Sequence, residues 1–384
     1  MSTKNGKLVF LPLIKKTVVA VALLTIAGFM FALSIAADKA EVQAGGSSTQ
    51  DKPVSDIATK SVPDVSKIWG WWQAVPWDKL PVTSGRWAEL LNQPVDLGRK
   101  GKTGDVHRYE IKRTNLTVDR QGRIISRMTA EGSLSRTLVR ETEPGVWTER
   151  VVWERFAAAQ GMGPGQYPVP VDFPGARGLS FEFAPRTFDY VNAPVDFMKV
   201  GDEVSGYLLK VLTMDAAGWD AVILGLRDHF GGRVRIGDTM REVRFEPWDI
   251  TRVGGEGTVG QYHAGEMQVS VIGLTRFHAE PCLLLWLSME GNVVTQKMET
   301  PQFSMDMKST DYFRGEIAVS LTDGRLLGME LWGPLPCTMA MGFGGQPAKE
   351  QPIGAIIQQV SLWEVMAGEA TKPDRGDRSL HIQD

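Results

Sequence analysis

The longest apolar stretch of the chain comes first. Thr17 to Ala37 is 21 residues without a charge, preceded by Lys4, Lys7, Lys15 and Lys16 and followed at once by Asp38. A helix of that length, rising about 1.5 Å per residue, crosses a hydrocarbon core of ~30 Å. The lysine excess ahead of it keeps the N-terminus cytoplasmic and sends the rest of the chain across. Residues 1–37 are thus predicted to be a signal anchor or a signal peptide, with the membrane contacted through residues 17–37. Small residues at Ser34, Ala36, Ala37 and Ala40 suit a signal peptidase. The run is nevertheless longer than the roughly 7–15 apolar residues of a cleaved signal, which favours the retained anchor.

Further along, the pattern changes to a period of two. Val106 to Val118, Arg123 to Val139 and Val146 to Phe156 are separated by Asp119-Arg120-Gln121-Gly122 and by Glu143-Pro144-Gly145, which predicts a three-stranded meander. Glu316 to Leu321 and Arg325 to Leu331 flank Thr322-Asp323-Gly324, a strong hairpin signal. Met267 to Phe277 and Cys282 to Met289 form another expected pair, with Glu290-Gly291-Asn292 turning into Val293 to Met298. Arg233 to Ile236 alternates and is expected to return through Gly237-Asp238 as Met240 to Phe245. Parallel pairing would need helical crossovers that the pattern mostly lacks.

One segment has helical spacing. Trp219, Val222, Ile223, Leu226 and Phe230 recur on one face, with Asp215 as the expected N-cap, Asp220 near the start, Arg227 and His229 in the last turn, and Gly231-Gly232 as the stop. A weaker helix is expected from Gly85 to Asn92. The predicted fold class is mainly β, an α+β variant: antiparallel meander sheets forming a sandwich or open barrel, with one amphipathic helix (about 216–230) covering a face.

Domain organisation follows from what lies between these elements. Residues 38–62 lack apolar periodicity and contain Gly45-Gly46-Ser47-Ser48, the composition of a flexible linker. Residues 63–367 are the expected β-rich extracytoplasmic domain. A run of Pro and Gly near 161–194 marks a subdomain break or binding loop, and residues 368–384 read as a disordered tail.

Composition narrows the function classes. With 384 residues, 43% hydrophobic and 23% charged, the chain is long and apolar enough for a sizeable core. The net charge of −3 leaves −6 on residues 63–384, because the first 62 residues hold seven Lys and four acids. A mildly acidic body argues against nucleic acid and against a polybasic reader of lipid headgroups. Neither cysteine follows the apolar run, so no lipoprotein anchor is expected. An oxidising compartment permits a Cys282–Cys337 disulfide, and two separate buried thiols fit the sequence equally well.

Candidate chemistry is sparse. The five histidines, His107, His229, His263, His278 and His381, stand in no zinc-protease spacing, and no metal or cofactor is predicted. Gly178-Leu179-Ser180-Phe181-Glu182 begins as a nucleophile elbow and fails at its last position. Asn115-Leu116-Thr117 and Arg375-Gly376-Asp377 fit a glycan acceptor and an adhesion tripeptide, both short enough to arise by chance. The most unusual feature is Ile68-Trp69-Gly70-Trp71-Trp72 with Trp77 close behind. Trp69, Trp71, Trp72 and Trp77 are the candidate ligand- or partner-binding residues, set against the plainer reading that they wedge the start of the body into its core.

These observations lead to an expectation of a membrane-tethered or secreted envelope protein, periplasmic or at the cell surface. Its body is expected to be a non-catalytic binding or scaffold domain for an apolar ligand or an envelope protein partner. The alternative is an extracytoplasmic hydrolase acting on glycans through a carboxylate pair that sequence does not locate.

Overall fold

The computed structural model describes residues 93–365 apart from 164–167, 187–188, 192–202, 244–246, 250–257, 264, 278–279, 300–302 and 344–345. The apolar run at 17–37, the linker, Trp69, Trp71, Trp72, Trp77, the helix expected at 85–92 and the tail at 368–384 lie outside these residues.

Alternating burial turns the predicted runs into very long strands. After a short β1 (Val95–Asp96) come β2 (Val106–Asp119), β3 (Ile124–Glu143) and β4 (Val146–Met162), the expected meander. Its turns pass through Gly122 and Gly145 at φ of 82° and 73°, which glycine adopts without steric cost. The Pro/Gly-rich stretch folds back along β4 as β5 (Val171–Asp172), a 3-10 turn (Pro174–Ala176), β6 (Ser180–Ala184) and β7 (Asp189–Val191). Two helices follow, α1 (Glu203–Ala217) and α2 (Asp220–His229). The chain then returns to strands: β8 (Arg233–Val234), β9 (Thr239–Val243), β10 (Pro247–Asp249), β11 (Thr258–His263), β12 (Glu266–Phe277) and β13 (Glu280–Glu299). The last are β14 (Phe303–Ser320), β15 (Leu326–Phe343), β16 (Lys349–Glu350) and β17 (Ile353–Glu364).

Fifteen of these strands form one antiparallel sheet whose main path runs β10-β11-β13-β14-β15-β17-β2-β3-β4-β6-β7. β10 and β7, the ends of that path, do not pair with each other, so the described residues form an open sheet and no closed barrel. The regular pairing is interrupted at identifiable places. Pairing of β13 with β14 slips between Met289 and Asn292. The ladder between β14 and β15 lapses from Ser309↔Cys337 to Arg314↔Trp332. Opposite that lapse β15 reads Gly333-Pro334-Leu335-Pro336, and prolines lack the N–H that a ladder needs.

α1 sits against β2, β3 and β4. Leu208, Leu209, Val211, Leu212, Met214, Ala216 and Ala217 are all buried, and so are Thr213 and Asp215, so none of this helix's described side chains faces solvent, as expected of a helix enclosed by its domain. Trp219, between the helices, stacks on Phe313 of β14 with centroids 5.8 Å apart and planes 8° from parallel. The Trp153 indole N–H donates to Thr213 Oγ1 at 3.1 Å.

Four expectations need correction. The helical region starts at Glu203 as two helices, and Asp215 lies within α1, fully buried, instead of capping a helix start; the residue before α2 is Trp219, with no side-chain cap bond. Glu290-Gly291-Asn292 is no turn: β13 runs through it as a bulge, with Gly291 at φ 71°, and pairs β12 on one stretch and β11 on the next. Arg233-Val234 pairs with β1, while β9 pairs with β12. Finally, Cys282 and Cys337 are free buried thiols. Cys282 faces Ser320 and Cys337 faces Ser309 across β14; eleven residues at about 3.3 Å each separate those partners far beyond the ~7 Å limit for a disulfide.

A methyl group added at Gly333 would come within 1.5 Å of the Tyr312 carbonyl oxygen, whereas one at Gly273 meets nothing within 4 Å. Gly333→Ala is therefore expected to lower unfolding free energy by ~3 kcal/mol, and Gly273→Ala to change it by less than ~1 kcal/mol. Equal effects of the two in urea titrations would contradict the close approach at Gly333.

Candidate functional site

The sheet carries charges into its interior at two places, each directed at the joint between the helices. Arg136 projects from β3 with its residue only 2% exposed. Its Nε donates to Glu149 Oε2 on β4 at 2.7 Å, one terminal nitrogen donates to the Ala216 carbonyl at 3.3 Å, and the other to Asp220 Oδ2 at 2.8 Å. Its guanidinium also lies 5.3 Å from the centre of the Tyr109 ring, close enough for a cation–π contact. One side chain thus holds the C-terminal end of α1, the first turn of α2 and strand β4.

These contacts set opposite titration behaviour on the two acids. Burial pushes the Glu149 carboxyl up, but the attraction of Arg136 and Arg99 outweighs it and the net direction is down. At Asp220 burial wins over Arg136 and the direction is up. Arg99 stands 3.7 Å from Glu149 and 3.5 Å from Asp323. Arg325 in turn pairs with Asp323 and Glu364, each at 2.9 Å, and with Glu280. Glu364 also meets His107 Nδ1 at 2.7 Å. The network fastens β2, β13, β17 and the β14–β15 turn at one end of the sheet.

Beside this network opens a cleft of about 40 Å³ lined by Arg99, Arg136, Trp147, Glu149, Asp220 and Ile223, among others. At ~10–15 Å³ per water molecule it holds roughly three waters, far less than the several hundred Å³ of a small-molecule site. Its two guanidinium groups face two carboxylates, so it presents no net charge to select an ion.

The second place is deeper. Arg113 on β2 donates to Asp215 Oδ2 on α1 at 2.6 Å, to Gln358 Oε1 on β17 at 2.6 Å and to Asn115 Oδ1 at 3.2 Å. Asp311 on β14 is 3% exposed. Burial pushes its carboxyl up to about 7 against the pull of Arg113 and of the Tyr312 backbone. Asp311 Oδ1, Asp215 Oδ1, Ser309 Oγ and Gln296 Oε1 are buried with no hydrogen-bond partner.

Trp69, Trp71, Trp72 and Trp77 lie outside the described residues. Cys282 packs with Phe277, Ala318 and Leu327, whereas Cys337 belongs to the main core, and burial alone pushes the Cys337 thiol up to about 12, an unreactive state. Asn115 is 2% exposed, so the glycan-acceptor triplet is buried in the sheet. Ser180 opens strand β6, with no strand-turn-helix elbow around it. Arg113, Arg136 and Asp311 were not singled out by sequence, and Asp215 only as a helix N-cap. Their only signal is a charge at an inward position of an alternating strand or apolar helix.

Among the described residues, no group of three or more His, Cys, Asp or Glu side chains is placed to hold a metal ion, and no helix is long and apolar enough to cross a membrane. No family model matches the chain, and no curated protein matches it. Among solved structures, OmpT, an outer membrane protein of Vibrio cholerae folded in vitro and in its trimer form, aligns over 69% of this chain and 100% of its own at 8% identity and a TM-score of 0.14. A superposition that loose carries no argument for fold or function.

Arg136→Met leaves Glu149 and Asp220 as buried acids without their main cation, and it is expected to cost about 3–5 kcal/mol in urea unfolding. Adding Glu149→Gln and Asp220→Asn to the same protein is expected to recover most of that loss. A single-variant loss below ~1 kcal/mol would show that the clamp does not hold the helices.

Proposed function

We propose that the chain is a membrane-tethered or secreted envelope protein whose body is a non-catalytic scaffold, built to present surfaces to an envelope partner. The observation that carries this reading is the packed interior formed by the described residues. The side of the sheet where an apolar ligand would lie is occupied by α1, Trp219 and the core around Trp153, Phe156 and Phe313, and the described cleft beside the helices admits only a few waters. That occupancy favours a scaffold over a carrier of lipid-sized ligands. Export is supported by the apolar run at 17–37 and the lysines before it.

The second reading, an extracytoplasmic hydrolase acting on glycans, finds one specific observation. Glu149 and Asp220 flank Arg136 in a cleft that also holds Trp147, and their titration directions diverge, as paired acid and base groups do. Against it, both carboxylates are bound to the same guanidinium, and the cleft is too small for a sugar ring.

Two measurements test the reading. In spheroplasts of the producing bacterium, added protease is expected to digest the body without lysis; a body untouched until lysis would contradict export. Native mass spectrometry of the full chain in detergent is expected to show protein partners and no stoichiometric lipid or sugar. A bound lipid would favour the carrier, and turnover of cell-wall oligosaccharides lost in Glu149→Gln would favour the hydrolase.

A further inference from the structure

We propose that Met307, Met339 and Cys337, on the inner face of β14 and β15, form a binding site for a soft monovalent cation, Cu+, with Met305 and Met341 as its entry. The site is independent of the functional reading above. Strand register places the residues together: Met305 faces Met341, Met307 faces Met339 and Ser309 faces Cys337 on three successive rungs. Asp306 and Lys308, which alternate with them on β14, are exposed, so the sulfur-bearing side chains share the inner face. Each of the five is 3% exposed or less. Facing Cβ atoms stand about 4.5–5.5 Å apart and successive rungs of one face about 7 Å, gaps that an unbranched side chain with three rotatable bonds can close. The chain has 16 methionines in 384 residues, yet all four positions of the first two rungs are methionine. Met305 is the third residue of β14 and Met341 the third from the end of β15, so the row of sulfur atoms runs inward from the end of the sheet to Cys337.

Two polar atoms beside the row point to a ligand. Ser309, opposite Cys337, is 1% exposed and its hydroxyl has no hydrogen-bond partner. Gln296 faces Met307 from β13, is equally buried, and leaves its side-chain oxygen without a partner. Methionine serving only as core filler would gain nothing from polar groups stranded next to it, whereas a bound ion gives them a task. Thioether and thiolate sulfur select Cu+ over the cations that carboxylates and carbonyls hold. In the free protein burial keeps the proton on Cys337 Sγ. On coordination the Sγ–H bond breaks, an Sγ–Cu bond forms, and the proton leaves to solvent. The thiolate then cancels the charge of Cu+, which spares the interior an unpaired charge. The Ser309 hydroxyl donates to the thiolate, and Gln296 Oε1 supplies a weak fourth donor.

The test is anaerobic competition for Cu+ between the full chain in detergent and a chromophoric Cu(I) chelator. The wild type is expected to take up one equivalent. The double variant Met307→Leu, Met339→Leu, which nearly conserves core volume, is expected to bind more than about a hundredfold more weakly, the upper range for losing even an outer-shell partner. Met240→Leu, on β9, is expected to bind as the wild type does. The ratio of wild-type to Cys337→Ser affinity is expected to rise about tenfold per pH unit between pH 6 and pH 8, because only the thiol releases a proton. No uptake by the wild type, equal uptake by the double variant, or a ratio independent of pH overturns the site. Should the variants fail to fold, copper K-edge absorption of the loaded wild type serves instead. A first shell dominated by sulfur supports the site, and one made of nitrogen and oxygen overturns it.

Discussion

Two arginines on neighbouring strands of one sheet, both reaching inward to a single helical elbow, are the constraint on which the rest of the architecture depends. Arg113 takes Asp215 near the end of α1, and Arg136 takes the Ala216 carbonyl and Asp220 just beyond it. The last carbonyls of a helix have no partner within the helix, and a carboxylate in the first turn favours the positive end of the next helix. A guanidinium placed between the two ends satisfies both demands with its five rigidly spaced donors. A lysine at position 136 would supply the charge but not the fork.

The apolar interior around the elbow gives most of the driving force and little of the direction. Side chains such as Leu134, Phe156, Leu212, Val222 and Leu285 are interchangeable in chemistry, and an apolar helix tolerates rotation or sliding against an apolar sheet. Ion pairs do not. Displacing α1 by one residue along its axis would strand Asp215 and Arg113 in the interior, each with a desolvation penalty of several kcal/mol. The sheet's own pairing is irregular elsewhere: the slip at Met289–Asn292 and the lapse beside Gly333 both fall next to Asp311.

Much of this was legible in the sequence, for a physical reason. Where one face of a strand is buried and the other wet, as from Glu131 to Leu138 in β3 with burial alternating residue by residue, the alternation is written in the residues and the strand is readable. α1 is hidden by the same logic. All its described side chains are buried, Thr213 and Asp215 included, so it has no wet face and no helical stripe appears in the sequence from Leu208 to Ala217. Asp215 was misread because an N-cap and a buried ion partner call for the same residue type, and only the distant Arg113 distinguishes them. Glu290-Gly291-Asn292 has the composition of a turn and serves as a bulge, since positive φ at Gly291 meets the needs of both. The clamp itself was unreadable: Arg113 and Arg136 look like ordinary charges until the pairing of strands places them under one helix.

The interior charges also bear on what the body does. Replacing a buried ion pair by well-packed apolar residues is often neutral or stabilising, so such pairs are weak devices for stability alone. Here they fix the register of a helix within a very long sheet, because each guanidinium meets its partner in one position of the helix only. A domain that only had to be stable would fill those positions with leucine. A domain that must keep one arrangement of helix and strands has a physical use for buried charges, since each is satisfied in one register and stranded in the next.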